Sequence, residues 1–266
     1  MTYDKFNIED KTVVITGGTG HLGAAISKQF ISCRAKTYVF SRNIDSHQEL
    51  KEFAAKENLE EYLNLHIIDI FEHSKVNELI DDIVSKESKI DILINNAYDN
   101  SPEKRISIDK VDSQDLFREI GKSAAADFSI SRKVHETMKL NNGGSIIFTG
   151  SLFGFISPNY KMYRLLDNQP PIHTGIDKSG TIQMVKVLAA EWGKLNIRVN
   201  CVSPGFFPKK RGKNNPDYIF EITSRIPMDR IGLADEVSGA YIFLASDASS
   251  YLTGQNIIID GGYSIW

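Results

Sequence analysis

Cysteine is scarce in this chain: Cys33 and Cys201 are the 2 in 266 residues. They lie far apart, each in an apolar segment, so a disulfide framework is excluded. Both read as buried free thiols of a reducing compartment. Long hydrophobic runs are missing as well. No apolar stretch approaches the roughly 20 residues that span a bilayer. The opening MTYDKFNIEDK is polar and acid-bearing, unlike a secretory signal. A cytoplasmic location without a membrane partner is therefore expected. An excess of charge is also absent: 31 Lys+Arg against 34 Asp+Glu leave a net charge of −3, so no global field draws the chain to nucleic acid. Histidine numbers 6, and His47, His66, His73 and His135 show no ligand spacing with cysteines or acids, so no metal site is expected. What is present is 41% hydrophobic and 24% charged residues, the balance of a soluble globular protein.

The stretch Thr12 to Gly23, TVVITGGTGHLG, organises the rest. Apolar β-formers Val13, Val14 and Ile15 lead into glycines at 17, 18, 20 and 23, and an amphipathic run from Ala24 to Ser32 follows. Strand, tight turn and helix in that order let backbone N–H groups approach a diphosphate, and the helix N-terminus adds partial positive charge.

Strand and helix patterns alternate from there on, predicting an α/β fold with a doubly wound parallel sheet, a Rossmann fold with helices on both faces. Strands are expected at 37–41, 63–69, 90–94, 144–150, 197–203 and 255–260. Helices are expected at 76–84, at 113–138 as one long element, at 174–195 and at 234–245. Residues 98–112 read as a surface loop, 153–171 as an irregular excursion and 206–227 as a basic, proline-bearing mobile lid. No repeat or linker interrupts the chain, so one domain over 1–266 is expected.

The pieces TGGTGHLG at 16–23, Asp69, NNA at 95–97, Gly150-Ser151, Lys178, IRVNCVSPG at 197–205 and YLTGQNIIIDGG at 251–262 stand in register along almost the whole chain. Together they resemble the compact branch of the short-chain dehydrogenase/reductase family. The spacing of Gly17, Gly20 and Gly23 is that of the extended, sugar-nucleotide branch, and His21 stands where compact members usually carry glycine. The absence of an added C-terminal substrate domain decides for the compact branch.

The resemblance implies a nicotinamide dinucleotide held by Gly17, Thr19, Gly20, His21, Leu22, Gly23, Ala97, Pro204 and Gly205. Asp69 and Ile70 would line the adenine, and Asn95 and Lys178 would face cofactor ribose. His21 either contacts a phosphate or caps the helix, and Asp69 could equally cap the helix after it. A carboxylate at the end of the second strand suits NAD, whereas a guanidinium suits a 2′-phosphate. Ser41-Arg42-Asn43 stands there with no acid before Asp45, so NADP is favoured over NAD.

The family's chemistry is hydride exchange between a carbonyl and nicotinamide. A tyrosine transfers the proton, a lysine four residues on assists it, a serine polarises the carbonyl and an asparagine supports a water relay. Ser151 and Lys178 match their positions, with Asp177-Lys178-Ser179-Gly180 opening the long helix. The tyrosine position holds Thr174, and aligning Phe128 puts Ser123 at the asparagine. A threonine hydroxyl is far less acidic than a phenol, whose pKa is about 10, and cannot replace it near neutrality. Three readings stay open. Tyr160 or Tyr163, in an insertion between Ser151 and Thr174, replaces the phenol; substrate or water supplies the proton; or the fold binds nucleotide without redox chemistry. His173, beside Thr174, is a further candidate acid.

That insertion, SLFGFISPNYKMYRLLDNQPP, resembles one in a branch tied to bacterial surface-sugar biosynthesis, including legionaminic-type acids. The implied ligand is small and sugar-like or phosphorylated. Lys209-Lys210-Arg211-Gly212-Lys213 reads either as a phosphate clamp or as a solvated loop face. The last strand sits near a sheet edge, and Tyr263-Ser-Ile-Trp266 ends the chain with exposed-looking aromatics. Edge and tail predict a homotetramer, or failing that a homodimer. An oxidoreductase is the leading reading; a degenerate nucleotide-binding subunit or regulator is the alternative.

Overall fold

Seven parallel strands form one sheet in the order β3-β2-β1-β4-β5-β6-β7. The computed structural model describes residues 4–99, 108–163, 172–208 and 215–266. The strands are β1 Thr12–Thr16, β2 Lys36–Ser41, β3 Leu63–Ile67, β4 Ile92–Asn95, β5 Gly144–Thr149, β6 Ile197–Pro204 and β7 Asn256–Ile259. The helices are α1 His21–Ser32, α2 Gln48–Glu57, α3 His73–Glu87, α4 Ser113–Glu119, α5 Lys122–Leu140, α6 Tyr160–Tyr163, α7 Ile172–Trp192, α8 Pro216–Thr223 and α9 Ser238–Ala245.

Side chains alternate along each strand and feed two cores. Val14, Leu93, Ile146 and Phe148 face a cluster shared with Ile80, Ile130, Val134 and Val185. Val13, Ile15, Ile92, Ile94, Ile147 and Val202 face the other, with Ile26, Phe30 and Tyr241. The order reverses between β1 and β4, which pair through Val13↔Ile92 and Ile15↔Ile94. Connections from these two strands leave in opposite directions, so a crevice opens at their carboxyl ends.

Several expectations change. The long helix expected over 113–138 is two helices, because Gly121 adopts φ +77° between them. Its N–H is captured by Asp177 Oδ1 at 2.7 Å, which fixes the break. The last long helix begins at Ile172, so Lys178 lies in its second turn rather than opening it. Within the expected lid, Asn215 caps α8 by accepting from Tyr218 N, Pro216 occupies the first turn, and Tyr218 and Ile222 are buried. The Lys209–Lys213 cations lie outside the described residues, as do 164–171 of the excursion. The remainder of that excursion holds a 3-10 turn, Leu152–Gly154, and the single turn of α6. Cys201 is buried, but Cys33 is only half-buried, near the end of α1.

Candidate active site

The turn after β1 closes against the end of β4. Gly17 has φ +62°, and a Cβ there would stand 2.8 Å from Ala97 Cα. Gly23 is tighter: a Cβ would meet the Gly17 carbonyl oxygen at 2.1 Å. Asn96 bolts the turn in place. Its Nδ2 donates to the carbonyls of Thr16 and Gly17 at 3.2 and 3.1 Å, and its Oδ1 accepts from Thr149 Oγ1 at 3.3 Å. Ala97 N donates to Thr16 Oγ1 at 3.0 Å.

This arrangement fits a dinucleotide. The turn admits no side chain at Gly17 or Gly23, Gly20 caps α1 with no side-chain acceptor, and the crevice at the sheet's reversal lies beside it. Thr19, Gly20, His21 and Leu22 line the open side of the turn and are exposed or half-buried. Thr19 Oγ1 accepts from Ser46 Oγ at 2.8 Å. Ser41 is buried with its Oγ 2.6 Å from His47 Nε2, so that hydroxyl is committed inside the protein. Arg42 remains exposed, 3.8 Å from Asp99 Oδ1. Burial, with Lys51 adding to it, holds the His47 imidazole below its ordinary pKa.

Three other cofactor candidates are placed less simply. Asp69 does not cap α3; its Oδ1 accepts from Phe71 N at 3.1 Å, and Glu72 stands at the helix cap. Ile70 is buried in the first core. The Asn95 side chain is buried too, its Nδ2 donating to Ser131 Oγ at 2.8 Å. Any ribose contact from Asn95 would come from its backbone. Pro204 ends β6, and Gly205 N donates to Ile259 O at 2.8 Å.

Several candidate groups gather around Lys178. Its ammonium is buried and donates to the Thr149 carbonyl at 2.7 Å. Burial lowers its pKa, which the charges of Asp127, Cys201 and Asp177 oppose. Ser151, two residues beyond Thr149, is half-buried, and its Oγ accepts from Phe153 N at 3.2 Å. Thr174 stands one turn before Lys178 on α7. The ring beside both is Tyr98: its phenol donates to Thr174 Oγ1 at 3.2 Å, and Lys178 Nζ lies 4.5 Å from its ring centroid.

Tyr160 and Tyr163 occupy α6. Tyr163 sits edge-on to Phe153 and tilted against Tyr218, each at 6.0 Å, in an apolar cluster with Met162, Phe206 and Ile222. Among the described residues, Tyr98 is the phenol in contact with both Thr174 and Lys178. His173 is buried next to Thr174. Ser123 is buried on α5, and one turn later Asp127 is buried as well, with Oδ1 lacking a hydrogen-bond partner. Burial pushes the Asp127 carboxyl up to about 7, against the pull of Lys178.

Sequence reasoning missed Tyr98 and Asp127, and quoted Asn96 as part of NNA without giving it a role. Signals for Tyr98 and Asp127 as candidates were present, though not for the residues they meet. Tyr98 follows NNA directly at a strand end, where the crevice opens, and Asp127 shares a helical face with Ser123.

A family model described as enoyl-(acyl carrier protein) reductase matches residues 19–264. The chain is 32% identical over 284 residues to the ribulose-forming D-arabinitol 2-dehydrogenase of Scheffersomyces stipitis, covering 98% of this chain and 96% of that one. It is 31% identical over 256 residues to the 3-oxoacyl-acyl-carrier-protein reductase FabG of Buchnera aphidicola, covering 96% and 98%. In fold it is similar to a gluconate 5-dehydrogenase from Burkholderia cenocepacia crystallised with NADP and tartrate, with a TM-score of 0.85 at 24% identity over 99% and 98% of the two chains.

Proposed function

The chain belongs to the short-chain dehydrogenase/reductase family, and from that premise we propose that it is an NADP-linked oxidoreductase acting on a hydroxyl or keto group of a sugar or sugar-phosphate. The observation that carries the reading is Lys178, a lysine kept buried beside the end of β5, where Ser151 stands. A buried ammonium is costly unless partnered or used. Here it is held on one carbonyl, under the ring of Tyr98.

A bound nicotinamide dinucleotide would supply hydride exchange with the carbonyl carbon. The residues that would hold it are the turn Gly17–Gly23, with Ala97, Pro204 and Gly205. Arg42 is the group that would answer a 2′-phosphate. Ser151 would polarise the substrate oxygen, and Lys178 would keep positive charge beside the site of proton transfer.

Support for a sugar substrate comes from the insertion between Ser151 and Thr174, similar to that of the legionaminic-type surface-sugar branch. Resemblance to an arabinitol dehydrogenase, a polyol enzyme by its name, points the same way. One 266-residue domain, a cytoplasmic setting and a homotetramer, or failing that a homodimer, belong to the same proposal. The edge strand β7 and exposed Trp266 support the association.

The absence of a phenol at position 174 favours a second reading, a nucleotide-binding subunit without redox activity. The test is NADPH consumption with a panel of ketoses, keto-sugars and their phosphates, alongside direct binding of NADP and NAD. Turnover with any member supports the enzyme; binding without turnover supports the subunit; failure of both dinucleotides to bind at millimolar concentration removes both readings. Light scattering at micromolar concentration tests the assembly, and a monomer ends that part of the proposal.

A further inference from the structure

Thr174 is no phenol, yet a phenol is in contact with it. Tyr98 Oη donates to Thr174 Oγ1 at 3.2 Å across 76 positions of sequence. The Lys178 ammonium lies over the same ring, 4.5 Å from its centroid. The backbone that carries Tyr98 is fixed: Asn96 N and Ala97 N both donate to Thr16 Oγ1 at 3.0 Å, at the foot of the glycine turn. The phenol therefore stands on a strand end at the crevice, between the dinucleotide turn and Thr174 and Lys178 of α7.

We infer that Tyr98 supplies the proton-transferring phenol of this site, with Thr174 as the residue that positions it; the inference rests on the oxidoreductase reading above. The phenol enters from the end of β4 rather than from α7. The lysine reaches it through the ring face, where an ammonium is attracted by the π-system and stabilises negative charge developing on the ring.

The surroundings of the phenol keep its proton in place at rest. Burial raises the Tyr98 pKa above that of a free phenol, the Thr174 hydroxyl lowers it, and the carboxylates of Asp177, Glu119 and Asp99 raise it. Lys178 is the cation over its face; burial lowers its own pKa, and the charges of Asp127, Cys201 and Asp177 oppose that lowering. The phenol is thus protonated at neutral pH, the form needed to donate. In carbonyl reduction the Tyr98 O–H bond breaks and an O–H bond forms on the substrate oxygen. The electron pair that reduces the carbonyl carbon is the hydride of the reduced dinucleotide, and the phenolate left behind regains its proton from water. Thr174 accepts from the phenol in the resting site and sets its direction.

The test compares wild type with Tyr98→Phe, Thr174→Val and Thr174→Ser, each assayed for dinucleotide binding and for reduction of the ketose panel. General acid catalysis contributes roughly 10²–10⁴-fold. The expected result is a loss of that size in kcat for Tyr98→Phe, with dinucleotide affinity and KM within a few-fold. Thr174→Val should lose about tenfold, the size of one hydrogen bond, and Thr174→Ser should restore it.

A second readout needs no turnover. With 3-fluorotyrosine placed at position 98, its fluorine resonance should shift on adding NADP and titrate at lower pH in the presence of Lys178 than in Lys178→Met. Wild-type turnover in Tyr98→Phe, or a resonance blind to both dinucleotide and Lys178, overturns the inference and leaves the oxidoreductase reading standing. A wild type that binds dinucleotide and reduces nothing overturns that reading, and the inference with it.

Discussion

Lys178 Nζ donates to the Thr149 carbonyl at 2.7 Å, tying the second turn of α7 to the end of β5. The same Thr149 bonds Asn96 and the buried Tyr241 hydroxyl through its Oγ1. One residue therefore links the lysine, the glycine turn and the second core. Replacing Lys178 by Met should leave the Asp127 carboxyl without the charge that lowers its pKa. Activity should fall by roughly 100-fold or more, while far-ultraviolet circular dichroism stays unchanged below pH 6. Retention of full kcat would remove Lys178 from the site.

Asp127 predicts a dependence of stability on pH. Its pKa is raised in the folded state from 3.8 to about 7, chiefly by burial. The folded form therefore binds more protons than the unfolded form between those values. The stability contributed by the protonated carboxyl is complete below about pH 4 and is lost as pH rises through about 7, by a few kcal/mol at most. Urea midpoints measured from pH 5 to 8 should fall in wild type and fall less in Asp127→Asn, at one fixed protein concentration. Parallel curves for the two proteins would refute the assignment.

Arg42 gives the cofactor prediction. It is exposed, and its one described ion pair, with Asp99, is long at 3.8 Å. Arg42→Ala should weaken NADP by about tenfold, the size of one charge-assisted hydrogen bond, and leave NAD unchanged. Isothermal calorimetry with both dinucleotides checks this, and equal losses for the two would make Arg42 a solvated loop charge.

Two glycines should respond in opposite directions to alanine. At Gly23 the new Cβ would meet the Gly17 carbonyl at 2.1 Å and Asn96 Nδ2 at 2.8 Å, both fixed atoms. Gly23→Ala should cost about 3 kcal/mol and abolish dinucleotide binding. At Gly180, exposed in α7 with nothing within 4 Å of an added Cβ, alanine should stabilise by about 0.5–1 kcal/mol. Thermal melts of the two variants, with and without NADP, separate the effects.

The sequence by itself determined the frame. Val13-Val14-Ile15 followed by the glycine turn, and six further strands punctuated by helices, specify the sheet because apolar periodicity and turn chemistry are local properties of the chain. Ser151 and Lys178 were legible for the same reason, as each lies within a short matched stretch. The tertiary structure alone decided what surrounds them. Gly121 breaks the helix expected over 113–138 because its N–H meets Asp177, which lies 56 positions away. Tyr98 meets Thr174 because the end of β4 and the first turns of α7 converge at the crevice, and Asp127 on α5 comes near enough to Lys178 for their charges to interact. Such meetings depend on where strand ends stop and how helices are turned, and no local pattern encodes them. The missing phenol at position 174 was a fact of the sequence; that another stands against it was a fact of the fold.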